Sequence, residues 1–357
     1  MRRRRLVARA GWRLFALLAS MVLIVGVAAG CGGDDDDDDG GGGGDAPISE
    51  FAIAAPEKGN DYGWNQQAVQ AAEQVASDFG IEVEVADNSG YEDIAPILRE
   101  LGTGGAEFVI AQASGYNTAA PDVAAQTGVP FLVWDNPDAT EPELVADTGT
   151  ASQEGAYLAG VLAAETTKSG TLGIVISADD VNWNKQAGGF VAGAQSVDEN
   201  IEIRLAQIGQ AGYADTAGGR RVTDQVIADG ADVVFGMGDG SSFGMLQAVE
   251  SADGVQFIDV IGDKSSIDDQ NVLLSSVLWN FDGLYTQAIE AIGDGTFGEQ
   301  GYELDLENDG IALLRTDKID DETWDQIQDV KQQIIDGEID VPLTETQGQV
   351  EDLIEQG

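Results

Sequence analysis

Aromatic, acidic and amide side chains recur where predicted strands give way to loops. Segment 60–74 begins as a turn and becomes a helix at Trp64, with Asp61 and Asn65 beside the indole. Carboxylates and amides can hold hydroxyl groups by hydrogen bonds, and an aromatic face can hold a ring. These residue types at strand ends indicate a binding site for a small ring-bearing polyol.

Most of the predicted strand ends contribute candidates for this site. The candidates are Asp61, Trp64, Asn65, Ser114, Gly115, Tyr116, Asp135, Trp183, Tyr213, Gly238, Asp239, Asp263 and Lys264. The loop "GMGDGSS" has G-x-G but lacks both the dinucleotide spacing and the Lys-Ser/Thr pair of a P-loop. Because the chain has no His and no motif with metal-ligand spacing, we expect no catalytic residue, metal or cofactor.

Several candidates also have a purely structural interpretation. Asp61 could cap the helix as readily as contact a ligand. Trp64 could be the first core residue of that helix, and Trp183 could pack between helices. Tyr116 and Tyr213 could be ordinary lid or surface aromatics.

The charge balance excludes one class of partner. The chain has 17 basic and 64 acidic residues, a formal net charge of -47. Such a chain repels nucleic acid phosphates and anionic membrane surfaces, so we expect no nucleic acid partner. A solvated acidic surface also suits a salty habitat, where ions screen self-repulsion.

The N-terminal segment has the composition of a secretory signal. Arginines precede an apolar run that ends at Gly30, and residues 1–30 are predicted to be a signal peptide. The run leads into Cys31, the single cysteine, as in a bacterial lipobox; a plain signal peptide with an incidental cysteine is the alternative. Residues 31–47 would then be a lipidated cysteine and an acidic, glycine-rich tether that holds the folded body outside the cytoplasm at the cell membrane.

The elements that must position the candidates alternate between strand and helix. Apolar runs begin near residues 50, 81, 106 and 130, and again near 171, 201, 231 and 255, with helical patterns between them. This alternation predicts an α/β fold with two doubly wound parallel-sheet lobes. Ligands of such sheets bind beyond the carboxyl ends of the strands, so two facing lobes would form a clamp around a cleft.

The joint between the lobes is predicted in the proline-rich segment after Asp135, which favours a ligand role for that residue. Residues 48–136 with 278–295 are assigned to lobe 1, and 137–277 with 296–357 to lobe 2. We expect Thr150 and Gln153 to cap the helix that opens lobe 2. A last helix is predicted over 321–335.

Six short motifs in order resemble the basic membrane protein (BMP) family of substrate-binding lipoproteins. They are "DYGWNQ", "EGAYLAGVLAAETTKSGTLGIV", "GGFVAGAQ", "GADVVFGMGDGSSFG", "VIGDKSS" and "QQIIDGEIDVP", and the resemblance covers about residues 48–345. It implies the periplasmic-binding-protein type 1 clamp, a role in ATP-binding-cassette (ABC) import and, for some members, purine nucleoside binding.

The resemblance also implies roles for single residues. Trp64 matches the base-stacking aromatic with Asn65 beside it, and Tyr213 matches a further cleft aromatic. Asp135 and Asp263 match acids that contact ligand, Asp263 through ribose hydroxyls. The chain departs from nucleoside-binding members in two places. It has Ala55 and Pro56 where those members have an acid, and Trp279 where they have a lysine.

Three functions follow as hypotheses. The first is a lipid-anchored monomeric receptor, not an enzyme, that closes on a nucleoside-like solute and delivers it to an ABC permease. The second is a surface sensor that presents ligand occupancy to a signalling partner. The third is an extracellular glycoside or nucleoside hydrolase with Asp61 and Asp135 as acid and base.

Overall fold

In a computed structural model that describes residues 4–6, 46–210 and 212–357, the chain forms two mainly parallel sheets. The first contains β1 (Arg4–Leu6), β2 (Glu50–Ala54), β3 (Glu82–Ala86), β4 (Val109–Ala111), β5 (Phe131–Trp134), β6 (Val145–Thr150) and β12 (Tyr302–Leu304), in the order β1-β3-β2-β4-β5-β6-β12. The second contains β7 (Thr171–Ile176), β8 (Glu202–Gln207), β9 (Val233–Met237), β10 (Gln256–Ile261), β11 (Leu273–Trp279) and β13 (Ile311–Leu313), in the order β13-β11-β10-β9-β7-β8. Only the pairs β1–β3 and β11–β13 are antiparallel among the described strands.

Helices cover the two sheets. They are α1 (Trp64–Phe79), α2 (Ala95–Gly104), α3 (Ala119–Thr127), α4 (Ser152–Thr166), α5 (Val181–Val197), α6 (Thr216–Ala228), α7 (Ser242–Glu250), α8 (Phe281–Asp294), α9 (Asp321–Ile335) and α10 (Gln347–Gln356). The central strands, such as β5, β7 and β9, are apolar runs buried on both faces, as parallel strands between helix layers must be. The predicted clamp of two parallel-sheet lobes is therefore confirmed.

The chain passes between the lobes three times. It crosses between β6 and α4, between β11 and α8, and between β12 and β13. Strand β11 pairs in the second sheet, whereas the helix that follows it, α8, packs on α1 in the first lobe. Three connections side by side allow the lobes to move as bodies about a hinge.

Two strands lie on the other side of the predicted lobe boundary. Strands β6 and β12 fall within 137–277 and 296–357, which the sequence assigned to the second lobe, but they pair with each other in the first sheet. The polar residues Asp147 and Thr148 interrupt the apolar pattern of β6, so the strand was not recognised. Helices α9 and α10 pack on α4 and α5 of the second lobe.

Two of the sequence motifs form one helix–helix interface. A Cβ atom on Gly160 of α4 would lie 2.1 Å from the Phe190 carbonyl oxygen of α5, and one on Gly193 of α5 would lie 2.1 Å from the Tyr157 carbonyl oxygen. Only glycine permits this approach of the two backbones. Helix α4 begins after Ala151 with no side-chain cap, so the cap predicted from Thr150 and Gln153 is wrong.

The N-terminal predictions lie largely outside the described residues. This applies to Cys31, to the tether up to residue 45, and to the signal peptide except for β1. In the described part of the chain, no helix combines the length and hydropathy of a membrane span.

Candidate functional site

A cleft of about 630 Å³ lies between the lobes, within the range that holds small-molecule ligands. Both lobes contribute to its walls. Its lining consists of Pro56, Glu57, Trp64, Tyr91, Ala113, Ser114, Gly115, Asp180, Asn182, Trp183, Tyr213, Asp239, Ile261 and Trp279. Six of the predicted site residues are in this set: Trp64, Ser114, Gly115, Trp183, Tyr213 and Asp239.

Trp64 stands at the first turn of α1, partly exposed to the cleft. Its indole Nε1–H donates to the Gln112 carbonyl oxygen at 3.1 Å, which sets the orientation of the ring. The ring lies edge-on to Trp279, which also lines the cleft, with centroids 5.8 Å apart and planes at 82°. Trp64 is therefore both anchored to the core and available to a ligand.

Gln112 holds the aromatic cluster behind Trp64. Its Oε1 accepts hydrogen bonds from Trp134 Nε1 at 3.0 Å and from the Tyr285 hydroxyl at 2.9 Å. Trp134 in turn packs edge-on against Trp64 with ring centroids 4.8 Å apart. The whole group is buried, so this wall of the cleft is rigid.

Asp61 is a structural cap. Its carboxylate accepts hydrogen bonds from the backbone N–H groups of Gly63, Asn65 and Gln66 at 3.0, 3.2 and 2.9 Å, and from Asn65 Nδ2 at 2.7 Å. These bonds satisfy the free N–H groups at the start of α1. Asn65 completes the loop by accepting the Glu57 N–H through Oδ1 at 3.1 Å. Neither Asp61 nor Asn65 lines the cleft.

Asp239 joins the lobes across the cleft. Its Oδ1 accepts the Trp64 backbone N–H at 3.1 Å, and a Cβ on Gly63 would lie only 2.6 Å from the same oxygen. Burial and the charge of Asp61 raise the pKa of Asp239 to about 8, although the Trp64 N–H and Lys264 act in the opposite direction. The carboxylate is therefore costly to ionise where it stands.

Asp180 and Tyr213 form a second polar pair on the wall of lobe 2. The Tyr213 hydroxyl donates to Asp180 Oδ2 at 3.0 Å, and Asp180 Oδ1 caps α5 by accepting the Asn182 N–H at 2.9 Å. Trp183 is buried and donates through Nε1 to Ser177 Oγ at 2.9 Å, yet its ring reaches the cleft. Both interpretations of Trp183, core residue and cleft residue, therefore apply.

Glu57 supplies an acid near the end of the first strand of the predicted fold. Nucleoside-binding members of the family that the motifs resemble have an acid where this chain has Ala55 and Pro56. In three dimensions Glu57, next in sequence, lines the cleft. Burial and the charge of Asp61 raise the pKa of its carboxyl.

Ile261 carries backbone strain at the cleft. Its φ is 69°, and the N–H of Gly262 bonds back to the Val260 carbonyl oxygen at 2.8 Å, which closes a tight γ-turn. A β-branched residue with positive φ is rare and unfavourable. Strain of this kind collects at ligand-binding sites, where the surrounding structure holds it in place.

Two further predicted lobe-1 residues, besides Asp61 and Asn65, do not line the cleft. Tyr116 is fully buried in the core beneath α3, where its hydroxyl donates to the Gly90 carbonyl oxygen at 2.5 Å. Asp135 is exposed, has φ of 57° and accepts a hydrogen bond from the Ser114 hydroxyl. Asp135 therefore positions Ser114, which does line the cleft, from outside.

Three predicted lobe-2 residues also lie outside the lining. Gly238 is buried where a Cβ would meet Ser241 Oγ at 2.1 Å, so its role is close packing. Asp263 is exposed and accepts the Ser265 N–H at 2.7 Å in a turn. Lys264 is 2% exposed and pairs through Nζ with Asp259 at 2.9 Å.

Eight lining residues are not among the predicted site residues: Pro56, Glu57, Tyr91, Ala113, Asp180, Asn182, Ile261 and Trp279. Asp180 and Asn182 stand in the strand-end segment "DDVNWN", so the strand-end rule could have included them. Tyr91 lies five residues after β3, and 53% of its surface is exposed; an exposed aromatic after a strand was the available signal. Nothing in the local sequence pointed to Ile261.

Comparison with known proteins agrees with this architecture. Residues 48–345 match the Bmp family model, described as PnrA-like substrate-binding proteins of ABC transporters. A solute-binding protein of an ABC transporter system from Conexibacter woesei superimposes with a TM-score of 0.72 at 21% identity, covering 83% of this chain and 99% of that one.

Two curated relatives carry functional names. The ABC transporter nucleoside-binding protein BmpA of Lactococcus lactis is 30% identical over 54% of this chain and 58% of its own length. The transcriptional activator protein med of Bacillus subtilis is 23% identical over 75% of this chain and 82% of its own length.

Proposed function

This chain belongs to the Bmp family of PnrA-like substrate-binding proteins of ABC transporters, and from that premise we propose that it binds a nucleoside or a related ring-bearing polyol without altering it. The observation that carries the proposal is the cleft between the lobes, which combines five aromatic rings with three carboxylates. Rings of this kind hold a flat base, and carboxylates accept hydrogen bonds from sugar hydroxyls. The nucleoside-binding name of a relative agrees with this ligand class.

The bound state is the closed clamp. The Trp64 N–H to Asp239 hydrogen bond and the edge-on contact of Tyr62 with Phe243, at 5.6 Å between centroids, both join lobe 1 to lobe 2. Opening breaks these contacts and exposes the cleft. A ligand that touches both lobes shifts the population toward the closed form by its differential affinity for that form.

Direct identification of the ligand tests this function. Native mass spectrometry of the mature protein, purified without denaturation, weighs whatever co-purifies with it. We expect the added mass of one nucleoside-sized ligand per chain, recovered unchanged after release. Steady release of free base from added nucleosides would instead support the hydrolase hypothesis.

Anchoring and delivery form a second part of the proposal. Cys31 would be lipidated after removal of residues 1–30, and the protein would deliver its ligand to an ABC permease outside the cytoplasm. Mass spectrometry of the mature N-terminal peptide should show a diacylglycerol-modified cysteine. The modified peptide should be absent from a Cys31→Ala variant, and an unmodified Cys31 in the mature wild-type peptide would contradict lipid anchoring.

A sensor role is the second candidate, because one relative is named as a transcriptional activator. The two roles differ in what a deletion strain loses. Loss of radiolabelled nucleoside uptake is expected for the importer subunit. Unchanged uptake with altered gene expression after nucleoside addition would favour the sensor.

A further inference from the structure

The charge on the cleft walls is unbalanced. Glu57, Asp180 and Asp239 line the cleft, and no lysine or arginine is among the described residues that line it. The acids come from both lobes, so they approach each other when the clamp closes. These acids are partly exposed in the cleft, and charges that a bound ligand removes from water are normally paired with an opposite charge.

The partners of these carboxylates within the protein are neutral. Asp180 accepts from the Tyr213 hydroxyl and a backbone N–H, and Asp239 accepts from the Trp64 backbone N–H. Asp61 lies close enough behind them to raise the pKa of both Glu57 and Asp239. The positive charge that would balance the wall is absent from the lining.

Lys264 acts on Asp239 only through space, from outside the lining. Its Nζ pairs with Asp259 at 2.9 Å and donates to the Val260 carbonyl oxygen at 3.0 Å. Both side chains of the pair are at most 2% exposed, and neither lines the cleft. The lysine is thus committed to a carboxylate outside the lining.

The aromatic rings suit a cation as well as a flat ring. The planes of Trp64 and Trp279 meet at 82°, and Tyr91, Trp183 and Tyr213 complete the set. The face of an indole or phenol ring carries negative electrostatic potential and attracts a positive charge, and the attraction is strongest when water is excluded. Two rings at right angles, such as Trp64 and Trp279, can present a face and an edge to the same ligand.

An unpartnered donor adds an independent requirement. Trp279 lines the cleft and is 3% exposed, and its indole Nε1–H has no acceptor among the described residues. Asn182 Oδ1, also in the lining, is a buried acceptor without a donor. A buried polar atom left unpaired costs free energy, which a ligand with matching groups would recover.

We propose that the cleft selects a positively charged ring, such as a pyridinium or an alkylated base, attached to a hydroxylated group, and rejects anionic analogues. The cation balances Glu57 and Asp180, the rings hold its plane, and a carbonyl on the ring accepts the Trp279 N–H. This inference rests on the proposed function in one respect only: the ligand occupies the inter-lobe cleft.

Two ligands of the same shape test the charge preference. Nicotinamide riboside carries a permanent positive charge on its ring, and benzamide riboside replaces that nitrogen by carbon. Isothermal titration at pH 7 and low salt should show at least tenfold tighter binding of nicotinamide riboside, a gap that narrows as salt is added. Nicotinamide mononucleotide, which adds a 5′-phosphate, should bind at least tenfold more weakly than the riboside.

The outcomes separate the inference from the proposed function. If both ribosides bind equally, or the neutral one binds more tightly, the charge preference is wrong and nucleoside binding stands. If neither riboside binds, the nucleoside proposal fails for these bases. The charge preference is then tested with a second pair of similar shape, the cation 3-hydroxyphenyltrimethylammonium and the neutral 3-tert-butylphenol. Equal binding of that pair, or no binding of the cation, overturns the inference.

Charge-removing variants locate the preference in the cleft. Glu57→Gln should reduce the ratio of cation to neutral affinity at least threefold while the neutral ligand still binds. Asp263→Asn is the matched control, because it removes one negative charge from an exposed turn outside the cleft. An equal reduction in both variants would assign the effect to the net charge of the whole protein and contradict the inference.

Discussion

Two sets of acidic side chains in this protein have opposite surroundings. Asp259 is fully buried and is matched by Lys264 and by the Ser242 hydroxyl, at 2.9 and 3.0 Å. Glu57 and Asp239 face the cleft without a basic residue in its lining. In the first arrangement the acid has its basic partner inside the chain, so removing that partner alone would leave a buried charge. In the second arrangement the acids have no basic partner among the lining residues.

Asp61 shows the same contrast within one loop. It lies three residues before Trp64, and all four of its hydrogen bonds go to its own loop and helix. Asp239 receives a single described bond, from the opposite lobe, and retains capacity for a ligand. A carboxylate's unused hydrogen-bonding capacity, more than its position after a strand, therefore marks it as a candidate contact.

The largest effect, on the free energy of unfolding, should come from breaking the buried ion pair of Lys264 and Asp259. Lys264→Met leaves Asp259 buried without its cation, and the free energy of unfolding should fall by about 3–5 kcal/mol in urea denaturation. The double variant Lys264→Met with Asp259→Leu should recover much of this loss. A Lys264→Met protein of unchanged stability that no longer binds ligand would return Lys264 to the binding site.

The next effect concerns a side chain that faces the cleft. Trp64→Ala should weaken ligand binding by about 1–3 kcal/mol, because a ring that stacks on the base is lost. Titration calorimetry with the co-purified ligand measures the change. Trp324→Ala is the control, since Trp324 lies on α9 against Arg315 and away from the cleft. Equal affinities of wild type and Trp64→Ala would place Trp64 among the core residues only.

A smaller effect is expected at Asp61, whose carboxylate oxygens already accept four hydrogen bonds. Asp61→Asn leaves a single acceptor oxygen for four donors, and the free energy of unfolding should fall by about 1–2 kcal/mol. Ligand affinity, measured under conditions where the variant is folded, should be nearly unchanged. A selective loss of affinity at full stability would show that Asp61 contacts the ligand after all.

The smallest expected effect is on the pH dependence of the free energy of unfolding, through Asp239. The folded-state pKa of Asp239, about 8, is above its ordinary value of 3.8, so the folded protein holds a proton that the unfolded chain releases. Stability from this group is therefore greatest below pH 3.8 and is lost as pH rises toward 8. Asp61 and Glu57 reinforce the shift, and Lys264 opposes it.

Comparison with Asp239→Asn isolates this contribution. The free energy of unfolding of the wild type, relative to the variant, should fall by about a few tenths of a kcal/mol per pH unit between pH 5 and 8, because partial exposure lets water screen the charge. Parallel pH profiles of the two proteins would show that Asp239 titrates normally.

Much of the fold was predictable because its strands and helices have strong local patterns. The last long helix was predicted over 321–335, and α9 spans Asp321–Ile335. Among the elements that were not predicted are three short strands and the helix α10, which follows the helix predicted as the last one. Strand β6 contains polar residues at interior positions, and β12 and β13 have only three residues each. Such elements depend on neighbouring strands rather than on their own hydrophobic pattern.

The site was predictable only in part, because residues after a strand can point in two directions. Trp64, Tyr213 and Asp239 point into the cleft, as expected. Asp61 and Lys264 stand at equivalent places in the sequence but turn toward the protein, to a helix N-terminus and to a buried acid. The local sequence contains no signal that separates these two cases.

The sequence by itself determined the α/β class, the paired lobes, the acidic surface and the set of loops that meet at the cleft. These follow from periodicity, composition and the rule that parallel strands end at one edge. Only the tertiary structure decided which acidic side chains have a basic partner within the protein. Burial and compensation depend on contacts between distant residues, as between Trp64 of one lobe and Asp239 of the other.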